Sequence, residues 1–329
     1  MRSDELEVAL QGALHLEARL VPKPWGGTRL KPAPGSTGVP TGERWEVADL
    51  DPAASAVDGP VTPVATGPLA GATLREMITT APDSLLGDAA PVDGGFPLLV
   101  KLLDAGQHLS VQVHPPAGYI EMHPEARLKS ESWIVLDAEP GAGLWIGLEA
   151  GVAFDDLRAV AGTPDVVPLL KRWPAVPGEV HHLPAGTIHA LGAGTLVAEV
   201  QTPSDTTFRL YDWNAEYSRA PRGLHVKEAL ACIELAWEHN QPSALGPVRQ
   251  HDGTLVRTAG YTLDRRRLAA GEKLEPRGDR PEVLYVVSGC LEGERLGSPL
   301  GAGGVALLPA VFAGSLHATA PASVLVMRP

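Results

Sequence analysis

The stretch GEVHHLPAGTIHALG, residues 178–192, decides how the rest of the chain reads. Pro184 and Gly186 suit a tight turn for different reasons: the proline ring fixes one backbone angle, and glycine accepts the left-handed conformation that side chains resist. With Gly178 and His189 they fall in the spacing G-x5-P-x-G-x2-H. A surface hairpin with an incidental histidine would satisfy the turn chemistry but leaves that agreement unexplained. His181 and His182 hold no place in the spacing, and they are expected to face solvent or to stand behind a site.

Upstream, HLSVQVHPP (108–116) alternates polar and apolar residues. Alternate residues of an extended chain share a face, so Ser110, Gln112 and His114 point one way while Leu109, Val111 and Val113 point the other. A polar face can simply meet water. Gln112 and His114 instead equip it chemically, and Glu131 in LKSESWIVL adds a carboxylate. Two imidazoles, a carboxylate and an amide oxygen make a mixed N/O donor set that suits zinc and could also accept iron, manganese or cobalt.

The remaining composition is that of many short strands, with Gly 36 and Pro 31 falling between runs rich in Val, Leu and Ile. Helical periodicity is confined to 73–87, 153–162 and 225–236, read as insertions and a connector in a mainly β chain. A length of 329 residues allows two domains. Periodicity is lost after the third helix, so the expected division is 1–240 and 250–329. A formal charge of -12 without long single-sign blocks argues against nucleic acid. No apolar run approaches the ~20 residues of a membrane helix, and MRSDELEVAL lacks a signal-peptide core. Cys232 and Cys290 have neither metal nor redox spacing and read as reduced thiols, so a cytoplasmic protein is expected.

The spacing around His189 resembles the second motif of the cupin superfamily, small β-barrels in which the histidine after the turn points into the barrel. Farther on, EVLYVVSG (282–289) and GGVALLPA (303–310) repeat parts of the cupin pattern, but Gly314 stands where the histidine would be. The expectation is two cupin-type jelly-roll barrels with a few helical insertions, the second degenerate and without metal ligands.

A closer resemblance runs through KPWGGTRL (23–30), GERWEVAD (42–49), PLLVKLLDAGQHLSVQVHPP (97–116), LPAGTIHALG (183–192) and QTPSDTTFRLYDWN (201–214). In this order they resemble the signatures of the type I phosphomannose isomerases in their short bacterial form. The resemblance implies reversible conversion of mannose 6-phosphate and fructose 6-phosphate through an enediol. It further implies one Zn2+ per chain on Gln112, His114, Glu131 and His189. Substrate binding would fall to Lys101, Ser110, Lys129 and Arg209, and catalysis to Arg209, Lys129 and Asp205. The run LKSE (128–131) departs from the His-Lys-Pro-Glu of many members, which removes one proposed acid/base and leaves Asp205 or a metal-bound water as the candidates for it. On an extended strand Asp205, Thr207, Arg209 and Tyr211 would share a face. Trp25, Trp45, Glu46, Glu199 and Gln201 remain open between structural and functional roles. An isomerase for another phosphosugar, a cupin oxygenase and a sugar-binding module are the alternatives. Retention of every ligand and cation favours an enzyme.

Overall fold

A computed structural model describes residues 3–30, 40–53, 55, 57–249 and 252–329. The chain forms two compact units, one of residues 20–44 and 101–249, the other of 1–19, 45–100 and 250–329. These units are discontinuous, unlike the contiguous 1–240 and 250–329 read from the sequence: segments 1–19 and 45–100 group with 250–329. Backbone pairing explains the difference. Leu14 and Leu307 exchange two hydrogen bonds of 2.8 and 2.9 Å, Asp88 N–H donates to Asp279 O at 2.8 Å, and Ala310 N–H donates to Leu85 O at 3.1 Å.

The strands are β1 (Arg19–Gly27), β2 (Thr41–Val47), β3 (Leu99–Ala105), β4 (Val111–Val113), β5 (Glu131–Ala138), β6 (Gly143–Leu148), β7 (Leu170–Pro174), β8 (Val180–Leu183), β9 (His189–Leu191), β10 (Thr195–Gln201), β11 (Phe208–Tyr211) and β12 (Pro247–Val248). They form a seven-stranded sheet in the order β1-β2-β3-β10-β5-β8-β12 and a five-stranded sheet in the order β11-β4-β9-β6-β7. The α-helices are α1 (Ser3–Ala9), α2 (Leu74–Thr80), α3 (Pro82–Leu86), α4 (Ala117–Met122), α5 (Phe154–Val160) and α6 (Val226–Leu235). The periodic run 73–87 is therefore two helices. Thr73 and Glu76 cap α2 reciprocally, and Pro82 opens α3 at a position where its missing N–H costs nothing.

Alternation along the strands builds two apolar layers. Trp133, Val135, Leu183 and Val197 from the larger sheet pack against Leu144, Ile146 and Leu191 from the smaller one, with Trp25 and Leu109 among them. On the other face of the smaller sheet, Val111, Val113, Ile188, Ala190 and Leu210 pack beneath Ala229, Cys232 and Ile233 of α6, Leu157 of α5 and Tyr119 of α4. Leu109 thus departs from expectation: it precedes β4 and joins the inter-sheet layer rather than Val111 and Val113. Each buried valine contributes about 1.5–3 kcal/mol to this arrangement. The polar face of β4 is thereby turned inward.

In the other unit, strands within 253–328 form a five-stranded and a four-stranded sheet. Leu268, Leu284, Leu308, Leu316 and Val326 pack in its core. Glu282 is buried there, and Arg328 engages both its carboxylate, at 3.2 Å, and that of Asp264.

Candidate active site

Across the five-stranded sheet, Arg209, Gln112, His189 and Ile146 stand opposite one another on successive strands. Across the larger sheet, Gln201, Glu131 and Leu183 do the same. Directly paired residues share a face, so each row presents its polar members together. Glu131 joins the rows: its Oε2 lies 3.2 Å from His114 Nε2 and its Oε1 lies 3.2 Å from His189 Nε2. The donor atoms of His114, Glu131 and His189 all lie within 4.8 Å of one another, and all three residues are buried.

The turn before His189 is held from several sides. Thr187 N–H donates to Pro184 O at 3.0 Å, and Gly186 has φ +88, as the third position of a type II turn requires. Gly186 N–H donates to His114 O at 2.9 Å, tying the turn to β4. Asn240, which no motif or periodicity singles out, is fully buried; it accepts from Ile188 N–H at 2.7 Å and donates to Gly186 O at 2.9 Å and Ala236 O at 3.1 Å. Removing the amide orphans those groups. Asn240→Ala is expected to destabilise the protein by roughly 2–4 kcal/mol in urea unfolding, and an unchanged midpoint would refute that role.

The ring nitrogens have fixed roles. Nδ1 of His114 donates to Thr206 O at 3.0 Å and Nδ1 of His189 donates to Thr187 O at 2.8 Å, because a carbonyl can only accept. Both Nε2 atoms therefore carry the lone pair. Burial, aided by the Lys129 charge, pushes His114 down to about 3, and burial also lowers His189. Burial alone would raise the Glu131 carboxyl, but Lys129 at 3.0 Å and the imidazoles hold it well below the usual range. His114 Nε2 and both Glu131 oxygens lack a hydrogen-bond partner, the Lys129 contact being one of charge outside hydrogen-bond geometry. Two neutral imidazoles anchored through Nδ1 and an ionised carboxylate, with buried atoms unsatisfied, make a donor set that fits a divalent cation. Gln112 Nε2 lies 3.2 Å from His189 Nε2, and its Oε1 accepts from Ser110 Oγ at 3.2 Å. Rotating the amide by half a turn would present Oε1 to the cluster and let Nε2 donate to Ser110, so the amide also fits as a ligand.

Lys101 is buried in β3. Its Nζ donates to Gln201 Oε1 at 3.0 Å and lies 3.4 Å from Glu199 Oε1, while Trp133 Nε1 donates to Glu199 Oε2 at 3.0 Å. Glu199 and Gln201, left open above, thus join the lysine behind the candidate ligands. Arg209 is half-buried, with Nε donating to Gly223 O at 3.0 Å. The expected common face of Asp205, Thr207, Arg209 and Tyr211 is broken: Asp205 and Thr207 precede β11, and a register shift between Arg209 and Tyr211 turns Tyr211 into the layer under α6. Trp25 packs in the inter-sheet core, and Trp45 and Glu46 are buried on β2. Arg219 and Arg222, in a loop without periodicity, were missed. Both contact Asp212.

His181 does not face solvent. It is 2 % exposed and pairs across from Trp133, and burial together with the Arg249 charge pushes it down to about 4. Glu179, 3.9 Å from its Nε2, is itself engaged by Arg249 at 2.5 Å, so it offsets little of this. His182 Nδ1 lies 3.0 Å from Ser132 Oγ. The unfolded chain, with His181 near 6.5, binds the proton that the folded chain refuses down to about 4. Stability is therefore full above 6.5 and falls on acidification, by about 2 kcal/mol for this group at pH 5. His181→Leu should flatten the pH dependence of unfolding between pH 7 and 5 by that amount, and an unaltered slope would exclude the assignment.

Comparison with known proteins bears on this site. The description "Phosphomannose isomerase type I, catalytic domain" matches residues 14–131. Over 227 residues the chain is 37% identical to the probable mannose-6-phosphate isomerase GmuF of Bacillus subtilis (strain 168), covering 68% of each chain. It is 32% identical over 267 residues to the mannose-6-phosphate isomerase of Streptococcus mutans, covering 80% of this chain and 81% of that one. The crystal structure of the mannose 6-phosphate isomerase from Bacillus subtilis superposes with a TM-score of 0.80 at 26% identity, over 96% of this chain and 99% of that chain.

Proposed function

The chain belongs to the type I phosphomannose isomerase family, and from that premise we propose that it interconverts mannose 6-phosphate and fructose 6-phosphate at the His114, Glu131, His189 cluster. The observation that carries the assignment is the buried Glu131 carboxylate between two neutral imidazoles, with its oxygens unsatisfied and Lys129 alongside. Gln112, His114, Glu131 and His189 would hold the metal, which we assign as zinc from the family resemblance, the mixed N/O donors being ones that zinc accepts.

Moving the carbonyl from C1 to C2 takes a proton from one carbon to its neighbour through an enediol whose oxygens gain negative charge. A cation held by these four residues would supply Lewis-acid stabilisation of that developing charge. Lys129, which is buried, and Arg209, which is half-buried, add fixed charge from the chain itself. We assign Lys101, Ser110, Lys129 and Arg209 to substrate binding, and Lys129, Arg209 and Asp205 to catalysis. Asp205, which acts electrostatically on Lys101, is our candidate base; such a group contributes about 10²–10⁴-fold. We place the enzyme in the cytoplasm. Both cysteines are free thiols, and burial in the α6 layer pushes Cys232 up to about 12. No helix among the described residues is long and apolar enough to cross a membrane.

The test is a coupled assay for fructose 6-phosphate with metal analysis on the same sample. Turnover proportional to bound metal is expected. A fully metal-loaded protein inert toward mannose 6-phosphate would end this reading.

A further inference from the structure

The strands of residues 253–328 repeat the order of the metal-cluster sheets around a different set of side chains. In the seven-stranded sheet β5 lies between β10 and β8; in the five-stranded sheet of the second barrel, Glu282–Ser288 lies between Ala322–Arg328 and Val305–Leu308. The registers agree as well. Glu131 opens β5 and stands opposite Leu183, which precedes Pro184; Glu282 opens its strand and stands opposite Leu308, which precedes Pro309. Glu282 therefore occupies the place of Glu131. Around it the partners are exchanged. Gly314 follows Pro309 by five residues, as His189 follows Pro184. Arg328 closes the neighbouring strand where Gln201 closes β10, and Arg280 precedes Glu282 by two, as Lys129 precedes Glu131. The positions that offer donors to a cation in the first barrel carry cations in the second.

Arg257, Thr262 and Arg328 stand opposite one another on three adjacent strands and so share a face. With Tyr261, Arg277 and Arg280 they line a cavity of ≈ 320 Å³. Arg328 is buried and already matched, by Asp264 and by Glu282 at 3.2 Å. Arg280 Nη1 donates to Pro329 O at 2.8 Å, and among the described residues no carboxylate forms an ion pair with the guanidinium groups of Arg257, Arg277 or Arg280. Among the described residues of the lining Asp279 alone is acidic, and it is exposed. Arginines scattered over a surface need no account beyond solvation. These converge on a concavity, in a chain whose formal charge is -12, and low-dielectric walls focus their field there. An anion in the cavity relieves their mutual repulsion. Guanidinium forks match phosphate oxygens pairwise, and three unmatched cations suit a dianion with three terminal oxygens better than a single carboxylate. The volume falls at the lower end of small-molecule sites, about 300–1,000 Å³, and leaves room for a short carbon skeleton beside the phosphate.

We propose that this end of the second barrel is a binding site for a small phosphorylated metabolite, held by Arg257, Arg277 and Arg280, with Arg328 completing the lining. Asp264 and Glu282 are the positioning residues that fix Arg328. The site shares no residue with the His114, Glu131, His189 cluster, and its binding function does not depend on the isomerase reading.

The experiment is calorimetry on the full metal-loaded chain with glycerol 3-phosphate as probe, and with glycerate as a carboxylate of similar size. Glycerol 3-phosphate should bind, and glycerate should bind at least 10-fold more weakly. Arg277→Gln and Arg280→Gln should each weaken glycerol 3-phosphate about 10- to 100-fold, the loss of one charge-assisted contact, while turnover of mannose 6-phosphate stays as in the unaltered protein. Arg277→Lys should fall between, because it keeps the charge and loses the fork. Arg209→Gln separates this site from the candidate active site: it should leave the binding sensitive to Arg277 in place. Melting curves identify any variant that has lost its fold, and Arg257→Gln, at an exposed position, then carries the comparison. No binding of glycerol 3-phosphate to the unaltered protein, equal binding in the arginine variants of the cavity, or binding that Arg209→Gln abolishes and those variants spare would each overturn the proposal. Glycerate bound as tightly as glycerol 3-phosphate would overturn the assignment to phosphate.

Discussion

Replacing His189 with alanine is expected to abolish metal retention and isomerisation together. His189 Nε2 is 3.2 Å from Glu131 Oε1, and its Nδ1 is committed to Thr187 O, so the ring cannot turn away without losing a buried hydrogen bond. Truncation removes one of two imidazole donors and leaves a gap beside Trp133, whose ring lies 5.3 Å from it. A site that has lost a ligand from an N/O set of this size should bind metal at least 10–100-fold more weakly, the penalty reported for losing supporting contacts alone. Charge stabilisation of several kcal/mol is lost with the cation, so turnover should fall by about 10³-fold or more. Thermal melting gives a readout that does not depend on activity. Metal at 100 times its dissociation constant stabilises the unaltered protein by about 2.7 kcal/mol, and the variant should show almost none of this gain. A metal-free His189→Ala protein with full activity would overturn the site.

How far this site could be read without coordinates depends on the residue. The turn at Pro184 and Gly186 carries its own chemistry, so the motif around His189 was visible as a motif. The alternation of Ser110, Gln112 and His114 was visible because period two survives even in a strand of three residues. That Glu131 meets both histidines was not, since it depends on two sheets facing each other and no local pattern encodes that; a resemblance supplied it. Side chains that act through backbone carbonyls were hidden for the same reason. Asn240 sits among turn formers, and Arg219 and Arg222 look like ordinary surface charge until Asp212 is seen beneath them. The division into discontinuous units was also illegible, because Leu14 pairs with a strand nearly 300 positions away. Bulges limit pattern reading as well: one irregularity between Arg209 and Tyr211 was enough to move Tyr211 to the opposite layer.

Lys101→Met is expected to produce the largest loss of stability at neutral pH among changes outside the candidate ligands. The ammonium is buried 3.4 Å from Glu199, and Trp133 is the other donor to that carboxylate. Burial and the nearby Glu131 charge already raise the Glu199 carboxyl, with Lys101 opposing them. Burial would likewise lower Lys101, but Glu199 leads the charges that instead raise it. Removing the lysine leaves a buried carboxylate facing a second one, a change that costs about 3–5 kcal/mol when one partner of a buried pair is deleted. Glu199 would answer by taking up a proton. Its folded pKa then lies further above the unfolded value, so the folded form binds protons more readily and the deficit should shrink as pH falls toward 5. Lys101→Met/Glu199→Gln should regain most of the loss, since a neutral amide can still accept from Trp133 Nε1 and needs no counter-charge. Urea unfolding of the single and double variants at pH 8 and pH 5 separates the cases. A double variant no more stable than Lys101→Met, or a deficit that does not depend on pH, would show that the lysine acts through packing of its alkyl chain rather than by compensating Glu199.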